Sequence, residues 1–153
     1  LAYIFSALTA VLAIAGCVGI GGIRPPRGSA PIVRTLDTTA YCHCGRCCSW
    51  HRTWLGRPVY SSGPLRGKPK AVGITASGTR VRPGTIAADT SIYPFGTIMY
   101  VEGYGYGRVE DRGSAIVGNR IDLYYRTHAQ AMAWGRQNLR VKIWLPPSPP
   151  SLP

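Results

Sequence analysis

The chain has 153 residues, with 18 lysines and arginines against six aspartates and glutamates, for a formal charge of +12. That length holds one domain with appendages, and the 19 glycines and 13 prolines argue against a helical bundle and for a turn-rich β architecture. The charge implies an anionic partner; peptidoglycan, anionic lipid, lipopolysaccharide and nucleic acid all satisfy it on charge alone.

Residues 1–23 carry no charge, and only Ser6 and Thr9 are clearly polar. The stretch is long enough to cross a bilayer. Its apolar run leads into Ile14-Ala15-Gly16-Cys17, which resembles the lipobox of bacterial lipoproteins, with Cys17 as the lipid-bearing first residue of the mature chain. An uncleaved membrane anchor is the other reading. The basic stretch that opens a secretory signal is expected ahead of Leu1. Either way, the rest of the chain is expected in the cell envelope, membrane-anchored on the extracytoplasmic, periplasmic side.

Residues 24–34 read as a basic, Pro-rich linker. Residues 35–145 form the folded domain, which opens with a segment of four cysteines. Residues 146–153 hold five prolines and read as a disordered tail. Within the domain, strands are expected at Thr35–Ala40, Ala71–Ala76, Thr85–Ala88, Thr97–Glu102, Gly107–Glu110, Arg120–Tyr124 and Val141–Leu145, each bounded by glycine or proline. Residues 52–69 are polar, basic and rich in Gly and Pro, and read as a long loop. Thr127-His128-Ala129-Gln130 is a capping-box pattern that opens a short helix, and Gly135 stops it. Six or seven strands with one or two short helices predict a mainly β fold, a small closed barrel, with a β-sandwich as the alternative.

Cys42, Cys44, Cys47 and Cys48 lie within seven residues, too close together to staple distant parts of the fold. They imply local disulfides, paired 42–47 with 44–48 or 42–48 with 44–47, or a structural metal completed by His43, His51 or His128. Reactive thiols are the third reading. An oxidising compartment favours disulfides.

Three of the six acidic residues, Asp89, Asp111 and Asp122, sit beside small or strand-like apolar residues. A half-buried acid there has its pKa raised by desolvation and becomes a proton donor. Asp111 and Asp122 flank Gly113 and Gly118, which allow the chain to turn and bring two strand ends close. Thr75 and Ser77 offer hydroxyls to a sugar, and Tyr104, Tyr106 and Trp134 offer aromatic faces. The bland readings compete. Asp111 pairs with Arg112 or Arg120, Asp89 caps a turn, and Trp134 packs the helix on the barrel.

The ordered run Thr75-Ala-Ser-Gly78, Ala88-Asp89, Asp111-Arg-Gly-Ser-Ala-Ile-Val-Gly-Asn-Arg-Ile-Asp122 and Thr127-His-x-x-Ala131 resembles the 3D, or three-aspartate, domain of bacterial cell-wall proteins. It is also similar to the catalytic barrel of A-type membrane-bound lytic transglycosylases. The resemblance covers residues 71–145. It implies a six-stranded double-psi β-barrel that cleaves peptidoglycan between N-acetylmuramic acid and N-acetylglucosamine, leaving 1,6-anhydro ends, with no cofactor required. By motif position Asp122 is the general acid and then base, Asp111 lines the cleft and Asp89 orients. Thr75, Ser77, Gly113, Gly118 and Tyr104 are the expected substrate-binding residues. The tetra-cysteine segment stands outside the general pattern. Expected partners are glycan strands and a membrane, with no nucleic acid, for a monomer. A non-catalytic glycan-binding module on the same barrel is the competing reading.

Overall fold

The computed structural model describes residues 22–147. The expected lipidation site Cys17, nearly all of the signal segment and most of the Pro-rich tail lie outside the described residues. Among the described residues no helix is long and apolar enough to cross a membrane.

Six strands close a mixed barrel: β1 (Ile32–Tyr41), β4 (Thr85–Ala88), β5 (Ile98–Val101), β6 (Gly105–Asp111), β7 (Arg120–Tyr124) and β8 (Gln137–Trp144), in the order β1-β7-β4-β6-β5-β8. This is the small six-stranded barrel that the sequence implies. Two of its pairs, β1/β7 and β4/β6, are parallel and the rest antiparallel, which separates it from an up-and-down meander. β1 closes the ring by changing partner along its length. Ile32–Thr38 run antiparallel to β8, and Asp37–Tyr41 run parallel to β7.

Alternating apolar residues fill the interior: Leu36, Ile86, Met99, Val109, Ile121 and Val141 are all fully buried. At roughly 25 cal/mol per Å² of apolar surface, such a core is the main favourable contribution to folding. β4 is buried along its whole length, so it reads as a continuous run of small and apolar residues and not as an alternation. Gly107 is required where β6 crosses it. A Cβ there would stand 2.5 Å from Ile86 Cδ1 and 2.9 Å from the Gly84 carbonyl.

Helix α2 (His128–Trp134) forms with the expected reciprocal cap. Thr127 Oγ1 accepts from Gln130 N, and Gln130 Oε1 accepts from Thr127 N, both at 3.2 Å. Trp134 ties it to the barrel by donating from Nε1 to Thr38 Oγ1.

Three expectations change. Ala71–Ala76 is not a strand. Gly73 has φ +76°, and the Thr75 side chain folds the following residues into a turn by bonding to Thr79, so the backbone leaves the extended region. Residues 52–69 are not wholly irregular, because β2 (Trp50–Arg52) and β3 (Pro58–Tyr60) make a hairpin turned by Gly56 at φ +74°. The linker is shorter than residues 24–34. β1 already begins at Ile32, Trp144 Nε1 donates to the Ser29 carbonyl, and Ile23 is buried against Ile98 and Trp144.

Candidate active site

Two aspartates meet across β4. Ala87 is the register partner of Asp122 on the antiparallel β7 and of Asp111 on the parallel β6. Strands lie about 4.8 Å apart, so the two Cα atoms flank Ala87 at about 10 Å from each other, with only a methyl group between. A register shift between Ile86 and Ala87 sets this pairing. Continued without it, the ladder would place Glu110 opposite Ala87. With the bulge, Asp111 faces the cleft and Glu110 turns inward to Arg82 and Thr85 Oγ1. On the far side of β7, Thr39 is the partner of Asp122, which completes a row from β1 to β6.

The two carboxyls differ in environment. Asp111 is surrounded by donors: Tyr41 Oη reaches its Oδ2 at 3.0 Å, while the backbone amides of Ala76 and Arg112 reach Oδ1 at 2.9 Å. Asp122 accepts one bond, from Thr39 Oγ1 to Oδ1 at 2.8 Å, and no donor among the described residues reaches its Oδ2. Burial pushes the Asp122 pKa up to about 6, and the neighbouring Asp111 charge adds to the rise; the Thr39 bond and Arg120 oppose it. Tyr41 is itself buried beside Asp111, which raises its pKa and keeps it a neutral donor.

Both aspartates line a cleft of about 840 Å³ between the barrel and the segment that follows β1. Its walls include Trp50 and Tyr60 from the hairpin, and Lys70 and Arg112 bring positive charge to its edge.

The other expected site residues divide. Gly113 lines the cleft, and an added Cβ there would crowd Ile116 at 3.1 Å. Thr75 lines it too, but its hydroxyl is spent within the 75–79 turn that delivers the Ala76 amide to Asp111. Ser77 and Gly118 do not line the cleft. Ser77 donates its amide to the Glu110 carbonyl, and Gly118, at φ +65°, turns the loop before β7. Tyr104 is not a sugar platform. Its hydroxyl accepts from Gly84 N and lies 3.0 Å from the Tyr124 carbonyl, and its ring packs on Tyr125 and Trp134. Tyr106 packs against Tyr100 and Trp144.

Asp89 also stands apart from the cleft. Its Oδ1 accepts from the Ser91 amide and hydroxyl and its Oδ2 from Gly118 N, which lowers its pKa. It caps a turn and holds Gly118 in the loop between Asp111 and Asp122. Arg120 pairs with Asp37 and not with Asp111. Thr39 and Tyr41 were not singled out by sequence reasoning; their place on the cleft-facing side of β1 is visible only once β1 is paired with β7.

The four cysteines carry free thiols. The two expected disulfide pairings are not formed. Cys42, Cys44 and Cys47 converge on His128 instead, while Cys48 turns away to donate from Sγ to the Cys42 carbonyl.

Residues 84–145 match the family model of the 3D domain, which bears out the resemblance seen in the motifs. Over 75 residues, 46% of this chain, it is 39% identical to the putative cell wall shaping protein YabE and 37% identical to the cell wall-binding protein YocH, both of Bacillus subtilis. The chain spans 18% and 26% of the lengths of those two proteins. Among solved structures, 52% of the chain superposes on 30% of MltA from E. coli with a TM-score of 0.40 and 23% identity, and equally on MltA with bound chitohexaose.

Proposed function

Starting from the 3D domain over residues 84–145, we propose that this chain is a lytic transglycosylase of peptidoglycan glycan strands, acting outside the cytoplasm, with Asp122 as the catalytic acid and base. The observation that carries the proposal is the contrast between the two cleft carboxyls. Burial raises the Asp122 pKa to about 6 and one of its oxygens has no partner among the described residues, while Asp111 beside it is fitted with three donors.

The chemistry follows from that contrast. Asp122 gives its proton to the glycosidic oxygen, and the C1–O bond to N-acetylglucosamine breaks. The C6 hydroxyl of the muramic residue closes on C1, and its proton passes to Asp122, which restores the acid for the next turnover. Because the nucleophile is intramolecular, no water has to be positioned, and the second carboxylate that ordinary glycoside hydrolysis demands is free for another task. Asp111 supplies negative charge next to the cationic, oxocarbenium-like transition state. Lys70 and Arg112 suit a substrate that carries carboxylates on its peptides and lactyl groups.

The test is incubation of the purified protein with sacculi and mass spectrometry of the soluble products. Anhydromuropeptides are expected from the wild type and not from folded Asp122→Asn; reducing-end products, or none, refute the lyase reading. A second reading, glycan binding without turnover, is favoured by the resemblance to a protein named cell wall-binding. It predicts that the chain co-sediments with sacculi and releases nothing.

A further inference from the structure

We propose that Cys42, Cys44, Cys47 and His128 form a tetrahedral zinc site that clamps the segment after β1 onto helix α2 and so builds one wall of the aspartate cleft. The four ligand atoms lie within 4.8 Å of one another. Cys42 Sγ and Cys47 Sγ are 3.8 Å apart, and His128 Nδ1 is 3.6 Å from Cys44 Sγ and 3.4 Å from Cys47 Sγ. A tetrahedral zinc with Zn–S of about 2.3 Å and Zn–N of about 2.0–2.1 Å has S···S edges of about 3.8 Å and S···N edges of about 3.5 Å. A disulfide brings its sulfurs to about 2.05 Å, so these thiols are spaced for an ion between them and not for a bond.

The local chain is shaped for the same end. Cys44-Gly45-Arg46-Cys47 is a Cys-x-x-Cys turn, closed by the single-turn helix α1 (Gly45–Cys48) with Cys48 N donating to the Cys44 carbonyl at 3.0 Å. Gly45 is needed there because a Cβ would run into the Trp50 carbonyl. Cys48 is not a ligand; its bond to the Cys42 carbonyl braces the backbone of one that is. The fourth ligand comes from 81 to 86 residues further on, at the first turn of α2, where the Thr127 cap fixes its position. Such a closure joins two distant parts of the chain, and metal affinity becomes folding free energy for the joined segment. Cys47, Cys48 and Trp50 of that segment face the cleft, so the ion would hold the wall in place from behind. The site is closed by four protein ligands, which marks it as structural. It does not depend on the glycan-cleavage reading, because its test reads metal and not product.

The experiment is elemental analysis of the protein purified without added chelator, with intact-mass measurement under non-reducing conditions. The expected result is about one zinc per chain and four free thiols in the 42–48 segment. Cobalt exchanged into the site should give the visible bands of tetrahedral thiolate ligation. Cys44→Ser and His128→Ala should bring zinc below about 0.1 per chain in a buffered metal pool, while Cys48→Ser keeps it. If a ligand variant does not fold, the wild type decides. Zinc returned to the chelated protein should raise its Tm by on the order of 10 °C. A metal-free protein lighter by two or four hydrogens, zinc retained by His128→Ala, or no Tm response to zinc would each overturn the proposal.

Discussion

Replacing Asp122 by Asn removes one titration from the cleft and leaves the shape nearly unchanged, so the effect on stability can be worked out. The Asp122 pKa is raised from 3.8 to about 6, chiefly by burial. That is about two units, or about 3 kcal/mol between the protonated and ionised folded forms. Because the folded value lies above the unfolded one, the protonated side chain is favoured by folding. This contribution is fully present below about pH 4 and is lost as pH rises through about 6. Asn does not titrate and can still accept from Thr39. Variant and wild type should therefore be similar in stability near pH 4 or below, and the variant should gain by about 2–3 kcal/mol by about pH 8, with most of the change between pH 4 and 6. Denaturant unfolding of both proteins across that range reads the difference directly. The same variant should lose anhydromuropeptide formation by at least about 10²-fold, since general acid catalysis contributes roughly that much. A stability difference that stays flat with pH would mean that the cleft does not hold this proton, and the assignment of Asp122 as the acid would fall with it.

Three further outcomes follow from the same geometry. Asp111→Asn removes the charge that helps raise Asp122, so the alkaline limb of the pH–activity profile should move to lower pH. Its amide oxygen can still accept from Ala76 N and Arg112 N, which limits the folding cost to about 1 kcal/mol by urea unfolding. Gly107→Ala drives a Cβ into Ile86 and the Gly84 carbonyl and should lower stability by about 1–3 kcal/mol or more, read from the thermal midpoint. Asp89→Ala frees the Gly118 amide and the Ser91 turn but removes nothing from the cleft; product formation should persist well above that of Asp122→Asn, with a lowered Tm.

The local elements were readable because their signals are local. Thr85–Ala88 and Arg120–Tyr124 are strands over the very residues expected, the first a short small-and-apolar run and the second alternating about Ile121 and Leu123. The capping box at Thr127 needs only four consecutive residues to be seen. Reading failed where a side chain redirected its own backbone, as Thr75 does in turning Ala71–Ala76 away from a strand. It failed again where a residue type suggested a ligand role that packing had taken up. Tyr104 has the ring to stack on a sugar, yet its hydroxyl is committed to Gly84 N and the Tyr124 carbonyl, and its ring packs with Tyr125 and Trp134 against the core.

Sequence alone established a basic, turn-rich β domain and the cluster of cysteines, and it pointed to three aspartates of which the fold brings Asp111 and Asp122 together, since residue chemistry and short-range pattern carry that information. Tertiary structure decided how the surroundings of Asp111 and Asp122 differ. A bulge of one residue on β6 selects Asp111 over Glu110 for the cleft, Ala87 leaves room between the two carboxyls, and Thr39 and Tyr41 arrive from a strand some seventy or eighty residues earlier in the chain. Likewise His128 reaches the cysteines only through the packing of α2 on β1. Strand partners and helix docking join residues far apart in sequence, and a proton's affinity for a carboxyl depends on the burial and the neighbours that this joining creates.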